Sequence, residues 1–168
     1  MLMKIVIIGN AGSGKSTFAK KLSQKLCLPL YHLDKYFWKP GWQEPNYSEF
    51  ELIHNDLCDQ LKWIIEGMNT RILEYRIKRA DIIIFLDFSR YLCLFRVLKR
   101  AILGFGNIRD SSAPGCPERI PDLKFLKFIW HFDAKQRARI KDLLEKYNYK
   151  SILIVKNKSD LAAILNTF

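Results

Sequence analysis

The most constraining feature of the sequence is a glycine-rich segment at residues 9–17, which reads Gly-Asn-Ala-Gly-Ser-Gly-Lys-Ser-Thr. It matches the pattern G-x-x-x-x-G-K-[ST] of phosphate-binding loops. A short apolar run of mostly β-branched residues, 4–8, precedes it and predicts a buried strand. Phe18, Leu22 and Leu26 follow at intervals of four residues and predict one face of a helix. The motif therefore lies between a strand and a helix, which is the context that its phosphate-binding chemistry requires.

The residue types in this segment suit an anion. Glycine allows the backbone to come close to a phosphate, and successive N–H groups at a helix N-terminus form a concave anion site. In this pattern the lysine reaches the β- and γ-phosphates and the following hydroxyl ligates Mg²⁺. We therefore expect a nucleoside triphosphate and Mg²⁺ to bind here, through Gly9, Ala11, Gly12, Ser13, Gly14, Lys15, Ser16 and Thr17.

Length and composition narrow the class of protein. A chain of 168 residues with 49% hydrophobic residues predicts one domain with a sizeable core, spanning residues 1–168. The longest apolar run, residues 82–86, is far too short for a membrane span. Residues 1–4 lead directly into the first strand and leave no room for a signal peptide, so we expect a cytoplasmic protein without a membrane partner. The four cysteines contain no C-x-x-C pair, which argues against a zinc site.

The formal net charge of +11 allows two interpretations. A basic surface attracts nucleic acid, whereas individual arginines clamp a triphosphate and a second anion. Acidic residues are interspersed among the basic ones, which favours the second interpretation. The basic residues gather in the second half of the chain, at Arg90, Arg96, Lys99, Arg100, Arg109, Arg119, Lys124, Lys127, Arg137 and Arg139.

Two acidic residues follow predicted strands. Residues 30–33 and 63–66 predict short second and third strands, and the carboxyl ends of parallel strands face the ligand crevice. Asp34 there suits a base that accepts the proton of a substrate hydroxyl, although aspartate is equally typical of a turn or a helix cap. Glu66 suits a water-mediated contact to Mg²⁺, or is simply a loop carboxylate. A single histidine such as His32 is more often structural, so we assign it no role.

Residues 31–62 predict an insert that binds the phosphoryl acceptor. It opens with a dense aromatic patch, residues 36–42, which contains a Pro-Gly turn. The rings either stack on a ligand or form a small core beneath the next helix, and both interpretations stay open. A helix is predicted over residues 46–61, with an apolar stripe formed by Phe50, Ile53, Leu57 and Leu61.

The next stretch of chain continues the alternation of helices and strands. Residues 70–79 predict a short helix with Arg71 and Arg76 near its exposed face. Residues 80–88 form an apolar run typical of a strand buried on both faces, and 151–155 predict a last strand.

A lid is predicted between the last two long helices. Arg96 and Arg100 lie four residues apart on a helix that runs to about residue 103, so they share one face. Residues 104–122 are rich in Gly, Pro, Ser and charged residues, and a loop of this length in a compact domain is usually functional. A single long helix is predicted over 122–147.

The whole chain resembles the adenylate kinase-like group of small P-loop kinases. Strands that alternate with helices predict an α/β fold with a doubly wound sheet. The combined motifs are most similar to the bacterial proteins labelled DNA topology modulation proteins, which are kinase-like in sequence. These motifs are residues 9–16, His32-Leu33-Asp34, 37–42, 63–67, Leu86-Asp87 with Arg90, and 115–118.

The resemblance implies a three-layer P-loop NTPase fold, with a five-stranded parallel sheet in the order 2-3-1-4-5 and a short lid. Arg96 matches the arginine that packs on adenine, and Arg100 matches one that contacts the phosphates at the lid hinge. Arg137 matches a charge-clamping arginine after the lid, and Asn157 falls where a loop borders the adenine. Glu66 takes the place of an aspartate near the metal. The implied catalytic residues are Lys15, Asp34, Arg100 and Arg137, and the implied metal site is Ser16 with Glu66.

The sequence also departs from the nucleoside monophosphate kinases. Residues 68–71 stand where those kinases carry a proline-arginine pair, and Asp34 is placed more like the acceptor-binding aspartate of shikimate or gluconate kinases. We therefore expect a kinase that transfers the γ-phosphoryl of Mg-ATP to a nucleotide, a nucleoside or a hydroxylated metabolite. The alternative is a nucleotide-regulated DNA-binding protein with weak ATPase activity. A monomer and a homodimer both remain open.

Overall fold

A five-stranded parallel sheet forms the centre of the protein in a computed structural model, which describes residues 3–168. Met1 and Leu2, on which part of the expectation about a signal peptide rests, lie outside the described residues. The sheet order is β2-β3-β1-β4-β5, which confirms the predicted order and the α/β class. The strands are β1 (Lys4–Gly9), β2 (Leu30–His32), β3 (Trp63–Glu66), β4 (Ile82–Leu86) and β5 (Ser151–Val155).

The central strands are apolar on both faces because helices cover both. Val6 of β1 lies between Ile65 of β3 and Ile83 of β4 in the parallel register, and all three side chains are buried. Such unbroken runs are typical of parallel strands that no face leaves open to water. The register brings the carboxyl ends of β1 and β3 to the same edge of the sheet.

Helices flank the sheet in two layers. They are α1 (Lys15–Leu26), α2 (Leu33–Phe37), α3 (Tyr47–Asp59), α4 (Leu73–Arg79), α5 (Arg90–Leu103), α6 (Leu123–Trp130), α7 (Ala138–Lys146) and α8 (Lys158–Thr167). One buried cluster joins the sheet to α2, α3, α4 and α7, and the other joins it to α1, α5 and α6.

The apolar stripe predicted for α3 is confirmed for Phe50 and Leu57, which pack in or against the core, and was wrong for Ile53 and Leu61. The helix buries Phe50, His54 and Cys58, whereas Ile53 and Leu61 are exposed. Positions four residues apart share one helical face, and this face holds two polar residue types. Cys58 Sγ and His54 Nε2 lie 3.5 Å apart, so the two side chains partner each other in the interior. A prediction based on apolar residue types alone places Ile53, rather than His54, on the buried face of α3.

Arg76 is buried, contrary to the prediction that it lies near an exposed helix face. The helix α4 begins at Leu73 and packs against the sheet through the face that carries Arg76 and Ile77. The guanidinium of Arg76 donates to the Gly67 carbonyl oxygen at 3.2 Å. It therefore holds the turn that follows β3 instead of meeting solvent.

The long helix predicted over 122–147 is divided. A π-helical turn, Asp133–Arg137, separates α6 from α7 and contains the predicted site residue Arg137. Residues 104–122, which we call the lid segment, form a loop between α5 and α6. Within residues 3–168, no helix combines the length and the apolar character needed to cross a membrane.

Candidate active site

A cavity of about 1010 Å³ opens at the carboxyl edge of the sheet. The loop after β1, the insert around α2, the turn after β3, helix α5 and the lid segment line it. This is where ligands bind in open α/β sheets, because loops at the strand ends leave a crevice there. The cavity wall includes Ala11, Gly12, Gly14, Lys15, Ser16, Thr17, Asp34, Glu66, Arg96 and Arg100 from the predicted site.

The glycine-rich loop requires glycine where helix α5 approaches it. Gly12 has a φ of +80°, and a Cβ there would lie 2.3 Å from the carbonyl oxygen of Cys93. No other residue type fits this contact without moving the backbone. Gly9 and Ser13, also predicted to bind nucleotide, do not line the cavity, and Ser13 is fully buried.

Lys15 is the first residue of α1 and curls back over the loop. Its Nζ donates to the Asn10 carbonyl oxygen at 2.9 Å. Burial lowers the pKa of Lys15, while the nearby carboxylates of Glu66 and Asp34 act in the opposite direction. Lys15, Glu66 and Asp34 therefore share one cavity wall, close enough for their charges to interact.

Glu66, the last residue of β3, is held by two side chains. Ser16 Oγ donates to Glu66 Oε1 at 3.0 Å, and His32 Nδ1 lies 2.6 Å from the same oxygen. Burial favours the protonated acid, but the His32 hydrogen bond and the charge of Lys15 outweigh it and lower the pKa of Glu66. The structure thus brings together the predicted metal residues and keeps the carboxylate ionised.

His32 is a site residue that the sequence reasoning missed. It ends β2, and the parallel register places it directly beside Glu66 at the end of β3. His32 and Glu66 are 34 residues apart in the chain, and it is the register between β2 and β3 that brings them together. No local pattern around His32 contains this information.

The donor set near the loop fits Mg²⁺. The Ser16 hydroxyl and the Glu66 carboxylate supply the hard oxygen ligands that this ion prefers. Among residues 3–168, no group of three or more His, Cys, Asp or Glu side chains forms a complete metal cage. Mg²⁺ usually binds through one or two protein groups together with waters and phosphate oxygens, so this sparse set is what the ion requires.

Asp34 faces the cavity from the first turn of α2, two residues after the end of β2. Its side chain is reached by solvent, yet the cavity walls surround it. This enclosure raises the pKa of Asp34, and the charge of Glu66 raises it further, against the opposing effects of Lys15 and Arg109. A carboxyl group in this environment takes up a proton more readily than an ordinary aspartate.

Two arginines pair with one buried carboxylate of the lid segment, that of Glu118. Arg100 Nε lies 2.6 Å from Glu118 Oε2, and Arg109 Nε lies 3.4 Å from the same oxygen. All three atoms are buried, and both contacts are ion pairs whose geometry does not meet that of a hydrogen bond. Arg100 thus lies against the lid segment, and its predicted contact to the phosphates stays a prediction; no individual role was assigned to Arg109 or Glu118 from the sequence.

The lid segment is bonded to the insert on the opposite side of the cavity. The Gly41 N–H donates to the Gly115 carbonyl oxygen at 2.8 Å, and Trp42 Nε1 donates to the Pro117 carbonyl oxygen at 2.9 Å. Cys116 Sγ also donates to the Lys39 carbonyl oxygen at 3.2 Å. The two segments are therefore bonded to each other, and residues of both line the cavity.

The remaining predicted residues take different positions. Arg96 lines the cavity, donates to the Ser13 carbonyl oxygen at 3.1 Å and stacks over the Phe88 ring. Arg137 does not reach the cavity wall, because its Nε donates to Asp87 at 3.1 Å just beyond β4. Asn157 also lies away from the wall, where its side chain caps α8. The charge clamp predicted for Arg137 and the adenine contact predicted for Asn157 stay predictions, since neither residue is part of the cavity wall.

Comparison with solved structures bears on the fold. The chain is similar to deoxyadenosine kinase from M. mycoides with a TM-score of 0.51 and 14% identity, covering 98% of each chain. It is also similar to shikimate kinase from Acinetobacter baumannii, with a TM-score of 0.60 and 12% identity over 99% of this chain and 90% of that one. The chain has the P-loop kinase fold. Shikimate kinase from Aquifex aeolicus gives a TM-score of 0.54 at 19% identity, covering 98% of this chain and 93% of that one.

A comparison of the sequence with protein-family models gives no match, and neither does a comparison with curated proteins. At identities between 12% and 19%, the structural likeness establishes the arrangement of strands and helices and not the reaction.

Proposed function

We propose that this protein is a kinase that transfers the γ-phosphoryl group of Mg-ATP to a hydroxyl group of a small molecule. One observation carries the proposal: Lys15, the Ser16–Glu66 pair and Asp34 converge on one cavity at the sheet edge. They supply a cation for phosphates, oxygen ligands for Mg²⁺ and a carboxyl group for a proton. The kinase fold of the solved structures named above supports the same reading.

Phosphoryl transfer depends mostly on positioning and on charge stabilisation. In this proposal the backbone N–H groups of the loop and the Lys15 ammonium hold the β- and γ-phosphates. Ser16 and Glu66 would hold Mg²⁺, which would supply positive charge beside the phosphate oxygens. His32 keeps the Glu66 carboxylate in place through its hydrogen bond.

The transfer step assigns a role to Asp34. The acceptor oxygen forms a bond to the γ-phosphorus while the bond between that phosphorus and the bridging oxygen of ADP breaks. The proton of the acceptor hydroxyl passes to the Asp34 carboxylate. The raised pKa of Asp34 favours this proton uptake.

The charge on the transferring group requires cations from the lid side. Arg100 and Arg109 both line the cavity and lie close enough to Asp34 to affect its pKa. Because Arg137 lies outside the cavity wall, we assign the clamp to Arg100 and Arg109 instead. Arg96 remains our proposed contact to the base of the nucleotide, since it lies on the wall beside the phosphate loop.

The test is transfer of label from γ-labelled ATP to a panel of nucleosides, nucleotides and small hydroxylated metabolites. We expect a labelled product with the wild type and no detectable product with a folded Lys15→Ala variant. Lys21→Ala is the matched control, because Lys21 is an exposed lysine of α1 outside the cavity wall. The proposal fails if no compound accepts label, or if Lys15→Ala transfers label as fast as Lys21→Ala does.

A further inference from the structure

Glu118 joins the two arginines that we assign to the clamp. Its Oε2 atom lies 2.6 Å from Arg100 Nε and 3.4 Å from Arg109 Nε. Only 6% of the Glu118 side chain is exposed. A buried carboxylate that contacts two cations through one oxygen is their shared counterion, unlike an exposed ion pair that water screens.

The backbone fixes Glu118 where the two ends of the lid segment meet. The Glu118 N–H donates to the Asn107 carbonyl oxygen at 2.8 Å, and the Gly106 N–H donates to the Glu118 carbonyl oxygen at 2.9 Å. The carbonyl oxygen of the preceding residue, Pro117, accepts the bond from the Trp42 indole. The fold of the lid segment therefore places this carboxylate, independently of its arginine partners.

The contact with Glu118 lies on the Nε side of each guanidinium. Both Nε atoms are buried, yet 32% of the Arg100 side chain and 30% of the Arg109 side chain are exposed, so the exposure belongs to other atoms. Both side chains line the cavity, and a guanidinium has two terminal nitrogens beyond Nε. One terminal nitrogen of Arg109 donates to Ser111 Oγ at 3.4 Å. Glu118 thus contacts both arginines at Nε and leaves terminal N–H groups for a ligand.

The two arginines would repel each other without Glu118. Cations that contact the same oxygen atom lie close together, and a partly buried site screens their repulsion less than open water does. Burial and the charge of Arg109 lower the pKa of Arg100, and the Glu118 carboxylate opposes both effects. Glu118 therefore stabilises two neighbouring positive charges beside the cavity.

We propose that Glu118 is a positioning residue of the clamp, which keeps Arg100 and Arg109 side by side with terminal N–H groups toward the γ-phosphoryl group of ATP. Because Glu118 is buried and its backbone is fixed, it stays on the two Nε atoms when the nucleotide binds. The phosphate oxygens accept from the terminal nitrogens instead. This inference rests on the proposed kinase function and gives a role to a carboxylate whose own charge repels phosphate.

The experiment compares the dissociation constants of Mg-AMP-PNP, which has a γ-phosphoryl group, and of Mg-ADP, which has none. Both are measured by calorimetric titration without an acceptor. Glu118→Gln keeps the shape of the side chain and removes its charge. We expect the ratio of the AMP-PNP constant to the ADP constant to rise about tenfold, as for the loss of one charged hydrogen bond to the γ-phosphoryl group.

Asp59→Asn is the matched control, because Asp59 Oδ1 pairs with Arg79 Nε at 2.7 Å outside the cavity wall. We expect the ratio in this variant to equal that of the wild type. An unchanged ratio in Glu118→Gln, or tighter binding of AMP-PNP, overturns the inference and leaves the kinase proposal standing. If the wild type binds neither nucleotide, both fail.

A double-mutant cycle tests whether Glu118 acts through the arginines. In a chain that already carries Arg100→Ala and Arg109→Ala, we expect Glu118→Gln to change the ratio by less than about twofold, because residues that act as one unit are not additive. A further rise as large as the one in the otherwise unchanged chain would contradict the positioning role.

NMR of the arginine Nε–H groups tests the same point in the wild type, and so applies even where Glu118→Gln does not fold. The signals are assigned with Arg100→Lys and Arg109→Lys. We expect both Nε–H groups to stay protected from solvent exchange after Mg-AMP-PNP is added, because Glu118 still covers them. Loss of protection at either arginine would show that phosphate displaces Glu118, and would overturn the inference.

Discussion

Two carboxyl groups on one cavity wall, Glu66 and Asp34, have pKa values shifted in opposite directions. Bonds from His32 and Ser16 together with the Lys15 charge lower the pKa of Glu66. Enclosure and the Glu66 charge raise the pKa of Asp34. Such a separation suits the proposed mechanism, in which one acid stays ionised as a metal ligand while the other exchanges a proton.

Substitution of Asp34 by Asn is expected to separate catalysis from ATP binding. The amide cannot take up the proton of the acceptor, so we expect kcat to fall about 100-fold or more, the range for loss of a general base. The dissociation constant of ATP, measured by titration without acceptor, is expected to stay within about threefold of the wild type. An unchanged kcat would make Asp34 a structural residue.

The pH dependence of kcat provides a second readout of Asp34. Since the transfer step needs the carboxylate and the pKa of Asp34 is raised above 3.8, the acidic fall in kcat is expected at higher pH than an ordinary aspartate would give. A profile of kcat against pH at saturating substrates measures this. A fall confined to the range of an ordinary aspartate would contradict the assignment.

Removal of His32 is expected to weaken the metal site without abolishing nucleotide binding. His32→Leu deletes the hydrogen bond to Glu66. Loss of a group that orients a metal ligand typically lowers metal affinity by about 10- to 100-fold. We therefore expect the Mg²⁺ concentration for half-maximal activity to rise about tenfold, with His131→Leu, on an exposed site, as the control. Equal Mg²⁺ requirements in both variants would refute this role.

His54 makes folding stability depend on pH outside the site. Burial, with a contribution from Arg76, lowers the pKa of His54 from 6.5 to about 4. Between these values the unfolded chain binds a proton that the folded chain does not, so stability falls as the pH falls. The shift corresponds to about 3 kcal/mol when the pH has fallen below the folded pKa. Urea unfolding at several pH values is expected to show a shallower dependence for His54→Leu than for His131→Leu.

Among the elements, the lid segment and the insert are joined by hydrogen bonds. Their contacts join the Gly41–Trp42 turn to the lid carbonyls of Gly115 and Pro117. The same lid segment carries Glu118, which pairs with Arg100 of α5. The lid segment is therefore in contact with both the insert and Arg100.

Removal of one of these bonds is expected to loosen the lid segment. Trp42→Phe deletes the indole donor to Pro117 while the aromatic packing on Trp38 is kept. A hydrogen bond of this kind contributes about 1 kcal/mol, so amide exchange in residues 113–118 is expected to speed up about fivefold. Trp130→Phe serves as the control. Unchanged exchange in both variants would show that the bond does not hold the lid segment.

The sequence predicts local elements better than long-range contacts. The loop between β1 and α1 and the partnership of Ser16 with Glu66 follow from motif spacing and strand ends. The contact between His32 and Glu66 depends on strand register, and the burial of Arg76 depends on which face of α4 meets the sheet. The pairing of Arg137 with Asp87 depends on a π-helical turn that interrupts a pattern typical of one helix. None of these three is encoded within a short window of residues.

At the scale of the whole molecule, the net charge of +11 is spread over the fold. Several cations already have partners within it, such as Lys20 with Asp110 and Lys146 with Glu74. The interpretation as a DNA-binding topology modulation protein rests on this charge and on sequence resemblance. The cavity at the sheet edge, by contrast, has the residues that a kinase needs, which is why we place the function there.

The measurement that tests this conclusion most directly is the release of ADP and of inorganic phosphate from Mg-ATP. Both products are quantified in the same reaction, with and without the acceptor panel. A kinase transfers the phosphoryl group to an acceptor, so an acceptor is expected to raise ADP release sharply while free phosphate stays near its background. If ADP and inorganic phosphate instead appear in equal amounts and no acceptor changes either rate, the protein is an ATPase and the kinase proposal is wrong.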